Sequence, residues 1–171
     1  MLVVSNTSPL SNLAIVDHLD LLRERYGRVI VPERVKLELD ALSHAAGKSR
    51  IEKAYSEGWL LTQRLPDYTL TAQLGTRVDA GEAEAIALAE LLKADKLIID
   101  DGLGRELARA RGVAVVGLLG ELLHAKLHGR IGSVGAIMDQ LKAEARFFIR
   151  DDLRRLILHQ AGEEHMPSSI T

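Results

Sequence analysis

The sequence predicts an α/β domain built on a parallel sheet. Short strand-like segments alternate with helical ones, those strand segments are apolar throughout instead of alternating apolar with polar, and polar clusters follow two of them. Strands that are apolar on both faces belong to a sheet covered by helices on either side.

Leu2-Val3-Val4 reads as the first strand and stops at Ser5-Asn6-Thr7-Ser8-Pro9. Residues 10–25 have helical character, ended by Gly27, and Val29-Ile30-Val31 is the second strand. Pro32 suits the first position of the next helix, which runs to about Leu42. The more polar stretch 43–58 is expected to be helical, Trp59-Leu60-Leu61-Thr62 to be a third strand, and 64–78, with Pro66, Asp67 and Gly75, a loop or insertion. A well-marked helix follows at 80–93, then the buried strand Leu97-Ile98-Ile99, bounded by Asp100-Asp101-Gly102. A helix at 104–111 ends at Gly112, a residue favoured just past a helix end, before the last strand Val113–Val116. Two or three more helices fill 118–161, broken at Gly129 and Gly132, and residues 162–171 read as a polar tail. The division expected is one domain over 1–161 plus that tail.

The 171 residues suit one domain, and 47% apolar with 27% charged residues reads as soluble and globular. No apolar run approaches the roughly 20 residues that span a bilayer. MLVVSNTSP lacks a basic leader and a small-residue cleavage site, so no secretory signal is expected and cytoplasm is the expected compartment. The absence of cysteine excludes disulfides and thiolate metal sites. A net charge of −2 carries no basic signature of nucleic-acid binding, yet a metal-binding carboxylate cluster would offset basic residues in the same sum.

Ligands of open parallel sheets sit beyond the C-terminal strand ends, where strand order reverses. Asn6-Thr7-Ser8 and Asp100-Asp101 fall at two such ends and meet if their strands are neighbours. The alternatives are a helix cap for Asn6 or Thr7 and an Asp-Gly turn at Asp101-Gly102. Two adjacent carboxylates repel one another unless a cation or a basic group relieves them. Glu38 lies about 60° around its helix from Val35, at the margin of the stripe formed by Val35, Leu39 and Leu42. There it needs a partner, an ion or an arginine. Asp79 and Glu82 suit a capping box. Glu82 and Glu84 lie about 200° apart on their helix, so both cannot face one cleft, and periodicity does not choose between them. Arg105 and Arg109 share a helix face, open to steering phosphates or to a solvated role. The six histidines, at 18, 44, 124, 128, 159 and 165, form no metal-ligand pattern with the carboxylates. A glycine-rich phosphate loop and a serine nucleophile elbow are both missing.

Taken together, Val3–Leu10, Val31-Pro32-Glu33-Arg34-Val35 with Glu38-Leu39, Gly81–Leu88, Leu97–Gly102 with Gly104-Arg105, and Val115–Gly120 resemble the PIN domain family. The resemblance is strongest to its branch of predicted nucleic-acid-binding proteins, relatives of toxin-type ribonucleases. It runs in family order through residues 1–130, and the C-terminal helices are similar as well. It implies a three-layer α/β/α sandwich with parallel strand order 3-2-1-4-5 and a cleft whose acidic residues hold Mg²⁺ or Mn²⁺. By position it implies Asn6, Glu38, Glu82 and Asp101 as the catalytic, metal-holding set. Asp100 is then an adjacent ligand, and Thr7, Ser8 and Arg105 position the substrate. The sequence departs from the family at Asn6, where most PIN nucleases carry aspartate. An amide oxygen still ligates a hard cation but brings no charge, which favours one metal over a symmetric pair.

The function the resemblance implies is hydrolysis of single-stranded or structured RNA, with a toxin–antitoxin role, a small antitoxin partner and a homodimer among its expectations. Residues 118–127 suit either an interface or a core. The competing reading is a catalytically weak or inactive PIN-like module that binds RNA or protein. A phosphatase or receiver-like domain would need a nucleophilic aspartate where Asn6 stands.

Overall fold

Five short strands form one all-parallel sheet in the order β3-β2-β1-β4-β5 in a computed structural model of the chain, which describes residues 1–164. The rest of the expected tail, with His165, lies outside the described residues. The strands are β1 (Val3–Ser5), β2 (Val29–Pro32), β3 (Leu60–Gln63), β4 (Lys96–Ile98) and β5 (Val115–Val116). Val4 is in register with Ile30 on one side and Leu97 on the other, so β1 is the centre from which the chain winds outward both ways. The expected order 3-2-1-4-5 is the observed one.

The chain divides into two compact units, Met1–Leu118 and a second from Leu119 onward. In the first, helices α1 (Thr7–Ile15), α2 (Asp20–Tyr26), α3 (Glu33–Asp40), α4 (Ala45–Ser56), α5 (Thr69–Leu74), α6 (Ala80–Leu91) and α7 (Gly102–Ala110) connect the strands. α6 is central: it packs on α3, α5, α7 and the strands β1, β2 and β4. Ala83, Ala85, Ala87 and Ala89 are all buried, and their small side chains let other elements approach α6 from two opposite sides. Ile86, Leu88, Leu97 and Ile99 complete that core without solvent exposure, each contributing roughly 1.5–3 kcal/mol by burial.

Two helical assignments differ from the sequence reading, and in both a tertiary contact decides. The stretch 10–25 is two helices, α1 and α2, not one. Asp17 adopts a left-handed φ of 61°, which an aspartate tolerates better than most residues. Arg50 then holds the break, donating from its guanidinium to the carbonyls of Ala14 at 2.7 Å and Ile15 at 3.3 Å and pairing with Asp17 at 2.8 Å. The stretch expected to be a loop at 64–78 contains α5. Its helical run is short, but Asp67 accepts hydrogen bonds from Thr69 N and Oγ1, and Leu65 and Leu74 are buried against the α6 core. Tertiary anchoring makes a helix where local pattern is too brief to show one.

The second unit holds α8 (Leu118–Leu127), which begins on the last residue of the first unit, with α9 (Val134–Glu144) and α10 (Asp151–Gln160). Glu163 ties the chain back onto the start of α9. Its carboxylate accepts from Val134 N at 2.7 Å, Gly135 N at 2.9 Å and Ser133 Oγ at 2.8 Å, with Lys126 Nζ at 3.4 Å. Burial alone would raise its pKa, but the hydrogen bonds from Gly135, Val134, Ser133 and Lys126 outweigh that and hold it at about 2. A folded-state pKa below the ordinary carboxylate value contributes stability that is complete above about pH 4.5 and lost as pH falls toward 2. Glu163→Gln is therefore expected to cost about 1–2 kcal/mol at pH 7. The difference from the unaltered protein should shrink steadily below pH 4.5, as read by denaturant unfolding across that range. Among the described residues, no helix is long and apolar enough to cross a membrane.

Candidate functional site

In a parallel sheet all the C-terminal strand ends lie along one edge, and the switch point falls where connections leave a strand in opposite directions. Here that point lies between β1 and β4. Asn6 follows β1, donating its backbone N–H to Ile98 O at 2.9 Å, and Asp100 follows β4 two residues after Ile98. The two polar clusters singled out in the sequence therefore lie on neighbouring strand ends.

Asn6 occupies the N-cap position of α1, but its side chain makes no capping hydrogen bond. It is 4% exposed, and its Oδ1 is buried with no hydrogen-bond partner. A buried carbonyl oxygen without a donor costs roughly 1–3 kcal/mol. The simple capping role is thus not the one it plays. Ser8 Oγ accepts from Asn12 Nδ2 at 3.1 Å, inside the same first turns of α1.

Glu38 reaches this edge from α3. Thr7 Oγ1 donates to its Oε2, and Arg34 pairs with its Oε1 at 3.4 Å. Of the partners weighed for a carboxylate at the core margin, the arginine is present. The pair with Arg34 is half-exposed, and such pairs contribute about 0–1 kcal/mol. The Glu38 carboxylate lies over Gly81: a Cβ built there would stand 2.6 Å from Oε2 and 2.7 Å from Oε1. Gly81→Ala is thus expected to push the Glu38 carboxylate away from α6. Because the obstructed atoms are the free end of a side chain and alanine favours the helix, melting temperature should hold while divalent-cation affinity falls about tenfold or more. Calorimetric titration with Mn²⁺ beside a thermal melt checks both halves.

Glu82 and Glu84, which periodicity leaves undecided, separate in three dimensions. Glu84 Oε2 accepts from Arg34 N at 3.1 Å and so caps the first turn of α3. Glu82 forms the expected capping box with Asp79, its own N–H donating to Asp79 Oδ1 at 2.8 Å. Burial, followed by the charges of Asp79, Asp101 and Glu38, pushes the Glu82 carboxyl up to about 7, against the hydrogen bond from Asp79 N. Glu82 therefore stands in the joint negative field of Asp101 and Glu38, carboxylates delivered by two other elements.

Asp101 is the N-cap of α7, its Oδ2 accepting from Gly104 N at 2.7 Å, so the Asp101-Gly102 pair opens a helix where a turn was the alternative. Asp100 divides its two oxygens. Oδ1 accepts from Leu118 N at 2.7 Å, whereas Oδ2 is buried without a partner. Burial raises its pKa to about 6, moderated by the Leu118 hydrogen bond and by the Arg105 guanidinium. Arg105 and Asp100 meet over Gly117, where a Cβ would stand 2.6 Å from the guanidinium and 2.9 Å from Oδ1.

The donor chemistry suits a hard divalent cation: one amide and several carboxylate oxygens, two of the buried acceptors orphaned, and one carboxyl whose pKa is raised to about 7 by burial first and then by its neighbours' charges. As the side chains stand, no three Asp, Glu or His residues among the described ones converge closely enough to hold an ion. Glu38, Glu82, Asp101 and one oxygen of Asp100 instead have protein partners, and the Arg34–Glu38 pair is weak enough for a cation to displace. Sequence reasoning missed Asp79 as a contributor to the field on Glu82, and Gly81 and Gly117 as the clearances for Glu38 and Asp100. A glycine inside a helix's first turn, in Asp79-Ala80-Gly81-Glu82, was the available signal. A family model described as PIN domain matches residues 2–163. No curated protein and no solved structure matches the chain.

Proposed function

The chain belongs to the PIN domain family, and on that basis we propose that it is a metal-dependent ribonuclease that hydrolyses RNA phosphodiester bonds. The observation that carries the reading is the shared field of Glu38, Glu82 and Asp101 at the sheet edge where Asn6 Oδ1 is buried without a donor. Asn6, Glu38, Glu82 and Asp101 would hold Mg²⁺ or Mn²⁺, with Asp100 offering its second oxygen. Such an ion, when bound, supplies Lewis acidity toward the phosphodiester and an activated water. The chain's own groups prepare the place. Thr7 fixes the Glu38 carboxylate, the Asp79 box holds Glu82 at the start of α6, and Gly104 N orients Asp101. Arg105 offsets part of the Asp100 charge and would position a phosphate there, while Ser8 stands in the first turn of α1.

Under this reading the protein works on RNA in the cytoplasm, as a homodimer with a small antitoxin as partner, and the match over residues 2–163 supports one functional domain over 1–161. The second reading, a PIN-like module that binds without cutting, is favoured by the neutral Asn6. Incubating the purified protein with labelled RNA in Mn²⁺ and in chelator separates them. Cleavage that chelator stops and added Mn²⁺ restores supports the enzyme, and binding without cleavage supports the module.

A further inference from the structure

The segment expected to be a loop carries a feature that the metal site does not use. Tyr68, at 37% exposure, is the one aromatic side chain open to solvent in the first unit, where Tyr26 and Trp59 are buried and Tyr55 is partly so. It is mounted on a braced platform. Leu65 and Leu74 are buried on either side of it, and Asp67 fixes the turn into α5 through Thr69. The Tyr68 hydroxyl donates to Glu33 Oε2 at 3.3 Å, and Arg64 Nε lies 3.7 Å from the same oxygen. Glu33 follows the end of β2 and Arg64 the end of β3, so this cluster lies on the same C-terminal sheet edge as Asn6. Strands are spaced about 4.8 Å apart, which sets β3 about 10 Å from β1 along that edge. That is within reach of the nucleotides flanking a phosphate held at Asn6.

We propose that Tyr68 and Arg64 form a nucleobase-stacking subsite for single-stranded RNA beside the proposed cleavage centre. The inference rests on the ribonuclease reading and narrows it to one substrate class. An aromatic face beside a guanidinium matches a base beside its phosphate. Arg64 is 76% exposed and only loosely paired, so a phosphate competes readily with Glu33. A duplex keeps its bases stacked on each other and offers no free face to Tyr68, whereas an unpaired strand does.

The test is fluorescence anisotropy of the full chain with a fluorescein-labelled oligoribonucleotide, single-stranded or annealed to its complement, in chelator at low salt. Single strand is expected to bind more tightly than duplex. Tyr68→Ala should weaken single-strand binding about tenfold, and Tyr68→Leu, which keeps apolar bulk without an aromatic face, should do nearly the same. Tyr68→Phe should bind like the unaltered protein. Arg64→Ala should flatten the salt dependence by about one phosphate contact. Equal affinity of Tyr68→Leu and the unaltered protein, or duplex bound as tightly as single strand, overturns the subsite. Cleavage is measured separately in Mn²⁺. Cutting without Tyr68-dependent binding defeats the subsite and leaves the nuclease reading standing. Tyr68-dependent binding without cutting does the reverse.

Discussion

Asp101→Asn is expected to reduce metal-dependent RNA cleavage by about a hundredfold to a thousandfold or more, with no loss of folding. The two effects separate because the residue has two roles. As N-cap of α7 it needs an acceptor for Gly104 N, and asparagine caps about as well as aspartate. As a proposed ligand it needs negative charge, which asparagine lacks. Unfolding free energy should stay within about 0.5 kcal/mol, helped by relief of repulsion on Glu82. Asp101→Ala is the control: it should lose the same activity and about 1 kcal/mol of stability along with the cap. Paired cleavage assays and thermal melts of both variants check this. Full activity in Asp101→Asn would remove that residue from the site.

Asn6→Asp is expected to change both stability and activity, in a way that depends on metal. The new carboxylate would be 4% exposed, with no hydrogen-bond donor at its Oδ1 position, on the strand end next to Asp100. Without a cation it should cost about 1–3 kcal/mol, the desolvation of an unsatisfied buried acceptor. With one, it adds a full charge to the donor set, and Mn²⁺ affinity should rise about tenfold or more. A ligand bound only by the folded state stabilises it by about 2.7 kcal/mol at a hundredfold excess over Kd. Melting temperature in chelator should therefore fall below that of the unaltered protein, and in saturating Mn²⁺ recover to it or pass it, with faster cleavage. A melting temperature indifferent to Mn²⁺ would place Asn6 outside any cation site.

The layered fold and strand order were legible because short apolar strands between helices leave few arrangements, and the family resemblance supplies the order. The break at Asp17 was not legible, since it depends on Arg50 reaching α1 from α4, a contact between residues over thirty positions apart. α5 escaped for a similar reason: what holds it is Leu65 and Leu74 on α6. At the candidate site, residue types and strand ends were readable, but the division of labour was not. Helical angles place Glu82 and Glu84 on opposite sides of α6 without saying which side faces the edge. What pairs Glu82 with the site is where α3 and α7 deliver Glu38 and Asp101, whose charges reach it. The split use of Asp100's two oxygens depends on Leu118 N arriving from eighteen residues away.

Anomalous diffraction from a crystal soaked in Mn²⁺ tests the cation site most directly. One peak per chain is expected, with Asn6 Oδ1 and oxygens of Glu82 and Asp101 at coordinating distances of about 2.0–2.6 Å and Glu38 swung from Arg34 toward the ion. A soaked crystal with no peak at that sheet edge, or with Mn²⁺ bound only elsewhere, would contradict it.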